Sequence, residues 1–199
     1  MMRIGIFGGT FDPPHLGHLI LAMEAHYQLG LDRLLWVPTL SPPHKQGQEI
    51  TSIEVRLQLV RAAIQGNPDF ELSCVEIDRP GPQYAADTVR LLAEENPGAE
   101  ICYLIGGDSL NDFPDWHDPA VIVSFCHCLG VMRRPGQVHD LKKLEDRLPG
   151  ITAKLQFVET PMLEISSTTI RDHIHAGTPY RYYVPESVFK MIENNRYYQ

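Results

Sequence analysis

The stretch Gly5–His18, GIFGGTFDPPHLGH, decides how this chain is read. It closes an apolar run, RIGIFG from Arg3, that has the length and composition of a short buried strand. The run breaks at Gly8 and Gly9, and two prolines follow at 13 and 14. His15 and His18 then stand at the head of an apolar-periodic segment, GHLILAMEAHYQLG, that reads as a helix stopping at Gly30. Glycines at 8 and 9 let backbone N–H groups come close to an anion, because no Cβ intervenes. A helix beginning near Leu16 adds its positive end, and two histidines three apart face the same way from its first turn. Together these groups describe a phosphate cradle with two imidazole donors. The spacing is neither G-x-G-x-x-G nor the Walker pattern, which argues against a dinucleotide-redox fold and a P-loop. A plain tight turn carrying two solvated histidines is the competing reading of the same residues.

Working outward, strand-like and helix-like segments alternate. RLLWVP is a strand, and TSIEVRLQLVRAAIQG a helix with Thr51 and Glu54 as a capping box and Gly66 at its stop. FELSCVEI is strand-like, ADTVRLLAEENPG helical, and EICYLIGG a strand. VSFCHCLGVM reads as a buried strand, VHDLKKLEDRL as a surface helix and KLQFVE as a strand. SSTTIRDHIHAG and PESVFKMIENN are closing helices. Strands separated by helices of this length imply βαβ crossovers. The expected fold is α/β: one doubly wound, mainly parallel, Rossmann-like domain over residues 1–199. In such a sheet, ligands bind outside the carboxyl ends of the strands, where the opening stretch emerges.

Bulk properties narrow the function. The net charge is −8, so broad attraction to nucleic acid or an anionic membrane is not expected, and an anionic ligand must be held by a local site. No run approaches the roughly 18 apolar residues of a membrane span, and MMRIGIFGG reaches glycine too soon for a secretory signal. Four cysteines without an export signal suggest reduced thiols and a cytoplasmic protein. Cys126-His127-Cys128 lacks a second ligand pair at zinc spacing, so no protein-built metal site is expected. Homo-oligomerisation is left open by the sequence.

The motif GGTFDPPHLGH resembles the GGTFDP-x-H-x-G-H element of nucleotidyltransferases whose H-x-G-H motif is shared with class I aminoacyl-tRNA synthetases. Four further elements follow in order: PPHK at 42–45, DTV at 87–89, GGDSLNDFPDW at 106–116 and ISSTTIR at 165–171. The set is similar to bacterial nicotinate-nucleotide adenylyltransferases over essentially the whole chain. Gly107 stands where that family often has alanine, and Ala85 where threonine is common; neither removes a group the chemistry needs.

The resemblance implies adenylyl transfer from ATP, with magnesium on the phosphates, to nicotinate mononucleotide. Such transfer needs no strong base, because the attacking phosphate is already an anion; catalysis is positioning and charge neutralisation. His15, His18, Lys45 and Arg171 are the donors or cations implied for catalysis, His18 being best placed for the α-phosphate. Gly8, Gly9, Thr10, Phe11, His18, Gly106, Asp108, Ile165, Ser166, Ser167 and Arg171 are implied for ATP. Asp108 would accept from a ribose hydroxyl pair, or else cap the short helix after it. Lys45, Tyr84, Thr88, Trp116 and Arg133 are implied for the mononucleotide. Trp116 would stack a pyridine, and the Thr88 hydroxyl with nearby backbone N–H groups would hold its carboxylate. Another phosphorylated acceptor, or a nucleotide-sensing module without turnover, are the rival functions. The other histidines, His117 among them, receive no role.

Overall fold

The computed structural model describes residues 1–40, 50–133 and 136–199. Their six strands form one sheet in the order β3-β2-β1-β4-β5-β6, and every neighbouring pair is parallel. The strands are β1 (Arg3–Gly9), β2 (Arg33–Pro38), β3 (Phe70–Leu72), β4 (Glu100–Gly106), β5 (Cys128–Arg133) and β6 (Leu155–Glu159). The longer helices are α1 (Leu16–Gln28), α2 (Ile53–Ile64), α3 (Ala85–Glu95), α7 (Ser167–His175) and α8 (Glu186–Asn195). Shorter ones are α4 (Gly107–Leu110), α5 (Pro119–Phe125) and α6 (Leu141–Arg147).

Both faces of the sheet are covered, which is why its strands read as continuous apolar runs rather than alternating ones. Ile4 and Ile6 of β1 join Tyr103, Ile105 and Val131 against α3 and α5. Phe7 joins Trp36, Leu104 and Met132 on the other face, under α1 and α2. A third cluster packs α7 and α8 on α2 through Ile170, Val188 and Leu59. Strand order reverses between β1 and β4. Their ladder runs from Arg3–Glu100 to Phe7–Leu104, so Gly8–Gly9 and Ile105–Gly106 emerge side by side at the switch point.

Three local expectations are corrected. FELSCVEI is a strand only over Phe70–Leu72, because the chain turns at Cys74, whose carbonyl accepts from the N–H groups of Ile77 and Asp78. The segment before β5 is helical to Phe125: Pro119 opens the turn, and Ile122 and Val123 bury on the α3 side of the core. α2 begins after Ser52, not Thr51. Thr51 is committed elsewhere, since its N–H donates to the Asp12 carboxylate and its carbonyl accepts from Arg56.

Candidate active site

The opening stretch builds its own first turn. His15 is the N-cap of α1, and its Nδ1 accepts from the His18 N–H at 3.3 Å. His18 Nδ1 accepts in return from the His15 N–H at 3.2 Å. This is a capping box made of two imidazoles, which satisfies two helix-start donors reciprocally. With each Nδ1 accepting, each proton sits on Nε2. The rings stack with centroids 3.7 Å apart, a separation that disfavours two positive charges. Burial lowers the His15 pKa to about 4, so His15 is a neutral donor rather than the cation the sequence allowed. Gly17 leaves room for the same stack: a Cβ there would meet the His15 ring at 3.0 Å, so the ring would have to shift by a few tenths of an ångström.

The Phe11 ring is turned inward. Its backbone is left-handed (φ 49°), and its ring is buried against Phe7, Trp36 and His18. It forms the floor on which the His18 ring stands, and it crowds Gly9, where a Cβ would lie 2.8 Å from the ring. Beneath the loop lies Arg56, 1% exposed. Its guanidinium donates to the carbonyls of Thr10 (2.9 Å), Thr39 (2.8 Å) and Leu40 (3.2 Å) as well as Thr51. Asp12 is buried too, and its Oδ1 accepts from the Tyr198 hydroxyl at 2.9 Å. Neither Arg56 nor Tyr198 carries a signal in the sequence beyond an ordinary amphipathic helix and a chain end.

α7 arrives on the other side of the loop. Ser166 is its N-cap, with the hydroxyl accepting from the Thr169 N–H at 3.1 Å. Ser167 Oγ donates to the Pro13 carbonyl at 2.8 Å, and Arg171 Nη1 to the Asp12 carbonyl at 2.7 Å. Residues 154 and 159 positions apart in sequence are thereby clamped together, and Arg171 is brought to the phosphate loop. Lys45 lies outside the described residues.

Two cavities meet at Gly106, the end of β4. The larger, about 560 Å³, runs from Gly8, Gly9 and Thr10 to Tyr84, Ala85 and Trp116. Trp116 is half-buried, packed edge-on to Tyr103 and tilted on Phe113. The smaller, about 150 Å³, is lined by His15, Gly17, Asp108, Met132 and Ile165 among others. Asp108 is exposed at its rim and accepts from Gln137 Nε2 at 2.8 Å; the N-cap of α4 is Gly106 instead. The residues expected to hold ATP and those expected to hold the acceptor ring thus flank one strand end.

Two expected acceptor residues are placed otherwise. Thr88 is 1% exposed, and its hydroxyl donates to Glu76 Oε1 at 2.9 Å, so it is not offered to a ligand. Arg133 is ion-paired with Glu159 and lies over the Phe157 ring at 5.0 Å, and its side chain is engaged by β6 at the edge of the smaller cavity. In their place the larger cavity gains Glu76, Tyr103 and His117. Tyr103 was hidden in an apolar strand, and Glu76 in what reads as a strand end. The His117 ring stacks on Tyr84 with centroids 3.8 Å apart. Its position directly after Trp116 was the only signal available. Among the described residues, no three His, Cys, Asp or Glu side chains stand close enough to hold a metal ion, and no helix is long and apolar enough to cross a membrane.

Residues 6–173 match the cytidylyltransferase-like family model. The chain is 40% identical over 199 residues to the "Nicotinate-nucleotide adenylyltransferase" of Bacillus subtilis, covering 100% of both proteins. It is 43% identical to a Thermomicrobium roseum protein named "Probable nicotinate-nucleotide adenylyltransferase", covering 100% of this chain and 92% of that one. Among solved structures, it is similar to a Plasmodium falciparum nicotinic acid mononucleotide adenylyltransferase complexed with NaAD. The TM-score is 0.79 at 17% identity, covering 100% of this chain and 98% of the other, a likeness that speaks for the fold. By motif, site architecture and full-length similarity, the chain belongs to the nicotinate-nucleotide adenylyltransferases, within the cytidylyltransferase-like family.

Proposed function

We infer that this enzyme transfers the adenylyl group of ATP to nicotinate mononucleotide, releasing pyrophosphate and forming nicotinate adenine dinucleotide. The observation that carries this reading is the meeting of two cavities at the β1–β4 switch point, beside the imidazole pair. Nucleophile and electrophile can there lie end to end. An oxygen of the acceptor phosphate attacks the α-phosphorus of ATP, and the bond to the bridging oxygen of pyrophosphate breaks. The nucleophile is already anionic, so no side chain has to remove a proton. His18, whose Nδ1 accepts from the His15 N–H, donates from Nε2 to the α-phosphate oxygens as charge redistributes. Arg171, the backbone N–H of Ser167 at the start of α7, and Lys45 are assigned to the β- and γ-phosphates, where a guanidinium makes paired contacts. The Gly8–Gly9 backbone and the start of α1 hold the phosphates by N–H groups and dipole. Trp116 supports the pyridine ring, and the N–H groups opening α3 at Ala85 face its carboxylate. Magnesium arriving with the triphosphate would neutralise charge there, beside the Gly8–Gly9 backbone and Arg171.

A pyrophosphate-release assay with ATP, magnesium and a panel of phosphorylated acceptors tests the reading. Release is expected with nicotinate mononucleotide well above that with phosphopantetheine, glycerol phosphate or choline phosphate. Turnover with one of those instead would reassign the acceptor. ATP binding with no release for any of them would make the chain a nucleotide sensor.

A further inference from the structure

The smaller cavity is the tighter half of the site. Its volume, about 150 Å³, lies below the roughly 300–1,000 Å³ of an ordinary small-molecule pocket, so part of its wall gives way when a nucleoside enters. Much of that wall is fixed. Gly106 and Gly107 contribute backbone where β4 passes into α4, and His15, Met132 and Thr160 are buried. Gln137 is the contrast, a long, unbranched and half-buried side chain on the segment that follows β5.

The position of its amide is tightly defined. Nε2 donates to Asp108 Oδ1 at 2.8 Å. Oε1 lies 2.1 Å, and Cδ 2.9 Å, from where a Cβ on Gly107 would stand. The amide therefore rests on the bare Cα of Gly107 and reaches from there to Asp108. Any side chain at 107 would expel it, because Cβ atoms do not approach other heavy atoms within 3.0 Å. Gly107 is needed here for close approach rather than for its backbone angles.

Asp108 is the carboxylate assigned to the ribose of ATP. A ribose hydroxyl would offer Oδ1 what the Gln137 amide offers now, a hydrogen-bond donor on the cavity side. A carboxylate oxygen has lone pairs for two donors, so the two compete for room rather than for acceptors. We propose that Gln137 holds the ribose's place: its amide occupies Asp108 and the space over Gly107, and the sugar of ATP displaces it on binding. The sugar then exchanges one charged hydrogen bond for another, and its own contact adds little to affinity. Apparent affinity for ATP is lowered by the fraction of molecules in which the amide is withdrawn, since only those accept the sugar. The triphosphate is gripped elsewhere, at Gly8–Gly9, the start of α1 and Arg171, so its own affinity is untouched. Displacement is complete before the chemical step, which places the effect on KM for ATP and not on kcat. This inference rests on the ATP assignment made above.

The test is calorimetric titration of wild type, Gln137→Ala, Gly107→Ala and the double variant with magnesium-ATP and, separately, with inorganic tripolyphosphate, which has no sugar. Either single variant is expected to bind ATP about three- to tenfold more tightly, with tripolyphosphate affinity unchanged. The double variant is expected to bind no more tightly than the singles, because both substitutions remove the same seated amide. KM for ATP falls in parallel at constant kcat. Unchanged or weaker ATP binding in either single variant overturns the proposal, and so does an additive gain in the double or an equal gain for tripolyphosphate. If Gly107→Ala does not fold, Gln137→Ala with the two ligands decides alone. Asp108→Ala separates this proposal from its premise. Weaker ATP binding there, with no gain in Gln137→Ala, overturns the role of Gln137 and leaves the ribose assignment standing. Unchanged ATP binding in Asp108→Ala overturns the ribose assignment, and the role of Gln137 goes with it.

Discussion

The two ends of the site are built in opposite ways. At the phosphate end, one contiguous stretch supplies the strand end, the turn, the helix start and both imidazoles. At the acceptor end, the wall is gathered from Thr39, the Glu76–Tyr84 loop, the middle of β4 and the Trp116–His117 corner. A contiguous motif carries its geometry with it, because local backbone rules decide where each group points. A gathered wall depends on which side chains bury each other. At the phosphate end the strand, the turn and the helix start were legible in the sequence; at the acceptor end only an outline was.

The strongest way to probe this contrast is acid. In the folded protein His15 titrates at about 4, against its ordinary 6.5. The unfolded chain therefore binds a proton that the folded chain refuses as pH falls below 6.5, and stability drops progressively down to about pH 4. The loss attributable to this group approaches about 3 kcal/mol, more than a hundredfold in the folding equilibrium. His15→Asn keeps an N-cap without a titrating ring. Melting temperatures followed against pH should lose part of their acid sensitivity in that variant. An unchanged pH profile would show that the imidazole capping box is not the acid-labile point.

Next in size, His18→Ala should lower kcat by about a hundredfold or more with a smaller change in KM, because its Nε2 donor acts where charge redistributes. A raised KM at constant kcat would move His18 from catalysis to binding. At the gathered end the effects are smaller. Nicotinate mononucleotide should exceed its amide in kcat/KM by at least about tenfold near neutral pH, the worth of one charged hydrogen bond. Thr88→Val sharpens the corrected assignment. Since its hydroxyl serves Glu76, the variant should lose roughly 1–3 kcal/mol of stability through a less satisfied carboxyl. Its kcat with the acid should stay within a few-fold of wild type once folded. A large fall in acid affinity, with stability intact, would return Thr88 to direct contact.

Much of the fold was readable because a doubly covered parallel sheet writes each strand as an unbroken apolar run. RLLWVP is β2 to the residue. The errors fall where such a run changes meaning. VSFCHCLGVM spans the end of α5 and the whole crossing into β5, and apolarity alone cannot separate a buried helix turn from a strand. Thr51 looked like a cap by spacing, but a contact to Asp12, 39 residues away, took its N–H. Arg133, which only the resemblance brought forward, is the last residue of β5, and its ion pair with its register partner Glu159 could not be read from the sequence. The start of α7 shows the reverse case: the Ser166–Ser167 helix-start motif was visible locally, while the clamp of Ser167 onto Pro13 and of Arg171 onto Asp12 needed the fold.

Arg56 has a kinetic consequence. Its guanidinium answers carbonyls at 10, 39, 40 and 51, which belong to two separate connections, β1 to α1 and the two ends of β2 to α2. A buried cation is unfavourable until its acceptors are in place, so α2 cannot seat fully while any of those connections is unformed. Seating of α2 and setting of the phosphate loop should therefore be one late, cooperative event in refolding. Catalytic competence would return together with amide protection in α2, after the sheet around Trp36 has already formed.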